Sequence, residues 1–169
     1  AALFRGTALR LVQITGAGLD RVDRAVLAEE GIALANVPGG SNAAVAEYVT
    51  ANAIALSRGF FAASGPLRAG EYVSHRAAMI AASLNGLGGL TVGLIGLGTI
   101  GMAVAQRYHA MGAKIVYHDP QPQSDTVALQ QLDARSLSLE DLLATVDIVS
   151  LHLPLMDSTR NLIDAARIA

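Results

Sequence analysis

The chain has 169 residues, a formal charge of -2 and a hydrophobic fraction of 52%. That is one ordinary domain or pieces of two, with enough apolar residues for a core, which excludes global disorder. Only 15% of residues are charged and none is cysteine, so nothing favours nucleic acid or an anionic membrane, and disulfides and thiolate metal sites are excluded.

Residues 9–15 carry Leu9, Leu11, Val12 and Ile14 and read as a buried strand that stops in the turn Gly16-Ala17-Gly18. Asp20 is placed to cap a helix running to about Glu30, with Val22, Val26 and Leu27 on its inner face and Gly31 at its end. Residues 32–37 form a second short strand, and Pro38-Gly39-Gly40 breaks the pattern. Ser41-Asn42 offers the cap of a helix over 43–57, where Val45, Val49, Ala53 and Leu56 recur at helical spacing. The opposite face is mostly alanine, which predicts burial on most sides. Residues 60–69 read as another short helix, and 71–85 carry no assignable pattern.

Residues 90–95 are the clearest strand and run into Gly96-Leu97-Gly98-Thr99-Ile100-Gly101. A helix follows, with Ile100, Ala103, Val104, Tyr108 and Met111 along one stripe and Gly112 at its end. Residues 114–118 form the next strand, closed by Asp119-Pro120. Residues 121–131 are polar without a hydrophobic period and read mainly as loop. Ser138 caps a helix to about Thr145, with Glu140 and Asp141 near its positive dipole end. Residues 147–153 are a third clear strand, Pro154 follows, and Ser158 starts a last helix. Strands alternate with helices and are nearly continuously apolar. This pattern predicts an α/β fold of the Rossmann type, a doubly wound parallel sheet covered on both faces.

The glycine loop has its full context. It follows a strand and opens a helix, and a second strand ends in an acid, with 17 residues between Gly101 and Asp119. Gly96 permits the tight turn, Gly98 keeps side chains away from a pyrophosphate, and Gly101 lets the helix pack close to the strand. The N–H groups of Thr99 and Ile100 sit at a helix N-terminus, where unpaired donors and the dipole favour an anion. Asp119 can accept hydrogen bonds from both hydroxyls of an adenosine ribose. A 2′-phosphate would meet its charge, and no arginine adjoins it, so NAD is favoured over NADP. The alternative is a glycine-rich strand–helix turn with no ligand.

In a doubly wound sheet the ligand crevice lies where the strand order reverses. With the stretch near Leu132 as third strand, residues 148–151 are the fourth, and His152, Leu153 and Pro154 line the adenosine side of that crevice. The simpler reading of His152 is a hydrogen bond satisfied at a strand end. His75, His109 and His118 read as surface or packing residues, and no histidines or carboxylates have metal-ligand spacing.

The blocks 11–20, Asn36-Val37-Pro38, 44–47, 56–58, 89–101, 147–155 and 158–164 together resemble the D-isomer-specific 2-hydroxyacid dehydrogenases, in the family's order and over nearly the whole chain. The resemblance implies two domains. Residues 1–38 would end a flavodoxin-like substrate domain, and 39–169 would belong to the NAD-binding domain. Backbone amides of the loop with Ala17 and Gly18 would hold the carboxylate of a small 2-hydroxy or 2-keto acid, which suits clustered N–H groups. The resemblance also implies a cytoplasmic homodimer joined through the NAD domain. Family chemistry uses an arginine, a glutamate and a histidine in motifs that have no counterpart up to Ala169, so the catalytic set is expected beyond it. Neither Arg160 nor His152 occupies a matching motif. With a first residue other than methionine, the chain is expected to be a piece of a longer protein, inactive by itself. A dinucleotide-sensing corepressor and a formate dehydrogenase of the same fold are the competing readings.

Overall fold

The structure, a computed structural model, describes residues 2–84, 86–121 and 126–168. Asn85 and residues 122–125, which belong to the unassigned and loop stretches of the sequence reading, lie outside the described residues. The chain divides into two compact units, Ala1–Asn42 with Leu153–Ala169, and Ala43–His152.

The first unit opens with a 3-10 turn, Ala2–Phe4, then β1 (Leu11–Gln13), α1 (Arg24–Glu29) and β2 (Ala33–Ala35). The two strands pair in parallel with Leu11 opposite Ala33. The expected buried strand is instead an exposed one, with Leu9 and Leu11 open to solvent. A two-stranded ribbon has little surface to cover, and the buried apolar side chains among the described residues of this unit are Val26 and Leu27 of α1 and Ile32 just before β2. The helix cap is Asp23, not Asp20. The Asp23 carboxylate accepts the Val26 N–H at 3.2 Å, whereas the Asp20 side chain turns back towards Gly18. Gly31 ends the helix with φ +67, a left-handed conformation that glycine adopts without strain.

The second unit begins with α2 (Asn42–Ser57), α3 (Phe60–Arg68) and α4 (Tyr72–Ala81). The α2 helix buries one face only. Ala46, Thr50 and Ala53 line it, while Tyr48 and Leu56 are each 71% exposed. The expected burial on most sides is not found: Ala53 and Val49 of the apolar stripe pack on the core, Leu56 does not, and Ala46 lies inward because alanine lets the helix approach closely. The stretch without a clear pattern is a helix, α4, with none of its side chains buried. It lacks an apolar stripe for that reason.

Next come β3 (Thr91–Ile95), α5 (Thr99–Ala110), β4 (Lys114–His118), α6 (Thr126–Gln131), β5 (Arg135–Ser136), α7 (Leu139–Thr145) and β6 (Ile148–Leu151). The four strands are parallel in the order β5-β4-β3-β6. The chain therefore steps outward from β3 to β5 and returns to β6 on the other side of β3. The third strand is at residues 135–136 rather than near Leu132, which is instead buried at the end of α6. The expected loop over 121–131 holds that short helix. Its six residues are too few to show a period, yet Leu129 packs on the core.

Val92 and Leu94 pack with Val104, Ala105 and Tyr108 of α5, together with Ala46 and Ala53 of α2. On the other face a side-chain carbon at Gly93 would lie 2.6 Å from Leu142 and 2.9 Å from Val146, so glycine there lets α7 close on the sheet. Ser138 caps α7 as expected, its hydroxyl accepting the Asp141 N–H at 3.0 Å. The β6 edge is covered on one face only, since Val149 and Leu151 are exposed.

Residues 153–168 return to the first unit. Ser158 lies in a turn rather than a helix. The Thr159 hydroxyl closes that turn by donating to the Pro154 carbonyl at 2.7 Å and accepting the Met156 N–H at 2.8 Å. The last helix, α8 (Ala165–Ile168), follows Asp164, whose carboxylate accepts the Arg167 N–H. No described helix is long and apolar enough to cross a membrane.

Candidate functional site: a glycine loop between three strand ends

The loop from β3 to α5 sits at the C-terminal ends of the parallel strands, where the strand order reverses. Gly96 has φ +91, which turns the chain sharply out of the strand. Its N–H donates to the His118 carbonyl at the end of β4, at 2.9 Å. The next N–H, of fully buried Leu97, donates to Asp119 Oδ2 at 2.8 Å. The other carboxylate oxygen accepts the Gln121 N–H at 2.8 Å. Asp119 is half-buried and thus directed at the loop. Each of its oxygens has a second lone-pair direction left for another donor.

Two glycines behave differently. A side-chain carbon on Gly101 would collide with the Gly96 carbonyl oxygen. On Gly98 it would meet nothing within 4 Å, and the φ of -70 suits any residue. The chain itself does not require glycine at 98. The free space lies beside the N–H groups of Thr99 and Ile100, which have no acceptor among the described residues, and no side chain caps the helix. A donor-rich, side-chain-free cradle fits a pyrophosphate.

His152 follows β6 and its main-chain N–H donates to the Ile95 carbonyl at 2.8 Å. Its imidazole Nε2 lies 2.9 Å from the Ser150 hydroxyl, two residues back on the same face of the strand. Burial lowers its pKa, so it sits neutral behind the loop. The sequence reading missed Ser150; its signal was the alternation of period two that puts residues 150 and 152 on one face. Leu153 and Pro154 continue the chain from His152 but group with the first unit. Of the other histidines, His109 is exposed, His118 bonds the Leu137 carbonyl at 3.0 Å, and His75 has its Nε2 buried without a partner.

In the first unit the loop after β1 is tied down by its carbonyls. Gly16 accepts the Val37 N–H at 3.1 Å, and Ala17 accepts the Asn36 side-chain amide at 2.9 Å. That leaves the N–H groups of Ala17 and Gly18 with no acceptor among the described residues. Asn36 was not singled out in the sequence reading as a holder of this loop. The sequence places it inside the strand over 32–37, whereas β2 ends at Ala35 and leaves its side chain to reach the loop.

Parallel strands in this order, a glycine loop opening α5, and an acid at the tip of the neighbouring strand define a dinucleotide-binding α/β domain of the Rossmann type. The model of the family "D-isomer specific 2-hydroxyacid dehydrogenase, NAD binding domain" matches residues 50–169, and the chain belongs to this family. That bears out the expected fold class and the expectation of NAD as cofactor. Over 167 residues the chain is 36% identical to an (S)-sulfolactate dehydrogenase of Chromohalobacter salexigens, covering 99% of this chain and 52% of that protein. It is 38% identical over 161 residues to a D-3-phosphoglycerate dehydrogenase of Mycobacterium tuberculosis, covering 95% of this chain and 29% of that protein. The holo form of D-mandelate dehydrogenase from Rhodotorula graminis superposes with a TM-score of 0.83 at 29% identity, over 94% of this chain and 47% of that one. The chain spans about half or less of the length of these relatives.

Proposed function

We propose that the chain carries the NAD site of a dehydrogenase that interconverts a 2-hydroxy acid and a 2-keto acid. Gly98 carries this reading. A glycine that no contact within the chain demands, set beside unpaired N–H groups at a helix start, is explained by an anion that must approach the backbone. Gly96, Gly98, Thr99, Ile100 and Gly101 hold the pyrophosphate, and Asp119 receives the adenosine ribose hydroxyls. His152 bounds the adenosine side. Ala17 and Gly18 offer their N–H groups to the substrate carboxylate. Bound NAD supplies the hydride chemistry. The relatives named for sulfolactate, 3-phosphoglycerate and mandelate support a 2-hydroxy acid as substrate class. The test is a titration with NADH and NADPH followed by cofactor fluorescence. The chain has no tryptophan to interfere. NADH binding with NADPH excluded supports the reading; equal binding of both, or of neither, sinks it.

A homodimer through the α2–α4 face belongs to the same proposal. Neither α3 nor α4 buries a side chain, and Phe61 and Val73 are 72% and 80% exposed. So much exposed apolar side chain on two neighbouring helices supports an interaction site there. Sedimentation of wild type against Phe61→Glu with Val73→Glu decides it: a wild-type dimer that the two charges split is expected, and a wild-type monomer refutes it.

A further inference from the structure

We propose that Asp119 is a positioning residue for the glycine loop: its carboxylate holds the loop in the shape that accepts an anion, before any cofactor arrives. The inference rests on the reading of this loop as the NAD site.

The loop leaves β3 by two successive N–H groups that both hang from the end of β4. Gly96 uses a main-chain acceptor, the His118 carbonyl. Leu97 uses a side-chain acceptor, Asp119 Oδ2 at 2.8 Å. A main-chain acceptor survives any substitution; the carboxylate does not. The second Asp119 oxygen is anchored by the Gln121 N–H at 2.8 Å, so the carboxylate cannot swing away from the loop without breaking that bond. Leu97 is fully buried, so water does not readily replace the lost acceptor. The peptide that follows Leu97 sets the direction of Gly98, and Gly98 begins α5, where Met102 N–H bonds the Gly98 carbonyl. The donors of Thr99 and Ile100 therefore inherit their aim from the bond between Leu97 and Asp119.

Two roles for Asp119 then predict opposite signs for a ligand that has no ribose. If the carboxylate acts only on ribose, its removal takes a negative charge away from an anion site, and inorganic pyrophosphate binds as well or better. If the carboxylate holds the loop, its removal weakens pyrophosphate binding although the repulsion is gone.

The experiment compares the whole chain as wild type, Asp119→Ala and Asp119→Asn, without NAD. Amide hydrogen exchange is read at Leu97, Thr99, Ile100 and Gln121, and inorganic pyrophosphate is titrated by NMR. In Asp119→Ala the Leu97 amide is expected to exchange about tenfold faster or more, the effect of losing a bond to a charged acceptor, and pyrophosphate to bind several-fold more weakly. Asp119→Asn keeps the shape but has one acceptor oxygen for two N–H donors, so either Leu97 or Gln121 is expected to exchange faster. It carries the comparison if the alanine variant does not fold. Unchanged exchange at both amides in Asp119→Asn, or pyrophosphate binding equal or tighter in Asp119→Ala, overturns the proposal. A wild type that binds no NADH in a parallel titration would remove the NAD reading while the exchange data still judge the positioning role.

Discussion

A side-chain carbon on Gly101 would run into the carbonyl oxygen of Gly96, five residues earlier. The first turn of α5 thus rests directly on the end of β3, and glycine is required there by the chain itself. At Gly98 nothing in the chain stands in the way. The two glycines should separate folding from binding. Gly101→Ala is expected to lose about 1–3 kcal/mol of stability through overpacking, as backbone cannot yield like a flexible side chain. Gly98→Ala is expected to stay within about 0.5 kcal/mol of wild type and to bind NADH at least about tenfold more weakly. Denaturant melts with cofactor titrations read both, and Gly98→Ala binding NADH normally would remove the pyrophosphate from this loop.

Gly93 poses the same problem on the α7 side, with a softer neighbour. A methyl there would meet Leu142 at 2.6 Å and Val146 at 2.9 Å. Gly93→Ala is expected to destabilise by about 1–3 kcal/mol. Adding Leu142→Ala should cost less than the sum of the single effects, because the second change makes room for the first. Additive effects in chemical denaturation would show that the clash is not what glycine avoids.

On the reading proposed for this site, Asp119 is expected to set the cofactor preference as well as to hold the loop. A hydrogen bond to a charged group contributes about 1.5–3 kcal/mol, or roughly 10–150-fold in affinity. Asp119→Ala is expected to weaken NADH binding by at least that factor, because the loop loosens at the same time. NADPH loses its repulsion, so the preference should collapse. NADH affinity within about twofold of wild type, with NADPH still excluded, would take Asp119 off the ribose.

Burial lowers the pKa of His152 below the ordinary 6.5. A histidine that is harder to protonate when folded binds more protons in the unfolded state over the interval between its folded and unfolded pKa values. Stability therefore rises with pH across that interval and is fully present above about 6.5. Acidification from pH 7.5 to 5 should lower the denaturation midpoint of wild type more than that of His152→Gln. Parallel curves would place the pH dependence elsewhere.

Among the described residues none of the four histidines is paired with a carboxylate. The chain on its own, mixed with NADH and glyoxylate, hydroxypyruvate or pyruvate, should therefore turn over far below the enzyme median of about 10 s⁻¹. Loss of an acid–base group alone lowers rates by about 10²–10⁴-fold. Following NADH absorbance checks this, and turnover near the median would show that a proton donor is present after all.

The local pattern was enough for whatever depends on a few neighbouring residues. The strand at Lys114–His118, the loop ending at Gly101, the Ser138 cap and the stop at Gly112 are all set by short-range sterics and hydrogen bonding. Where two similar residues compete, local pattern fails: Asp20 and Asp23 are equally able to cap, and only the turn at Leu19–Val22 hands the task to Asp23. The extent of α2 burial is not legible locally, because alanine suits both a close approach and an open face; Ala46 and Ala53 lie inward once the sheet is there to meet them, while Tyr48 and Leu56 stay exposed. The residue types of the site were legible, since glycine, a helix start and an acid have fixed chemistry. What Asp119 does to Leu97, and what Ser150 does to His152, depends on strands brought side by side from distant parts of the chain or on the side-chain direction the sheet imposes. The bond from Leu97 to Asp119 exists only because β3 lies beside β4, a pairing no local stretch of sequence contains.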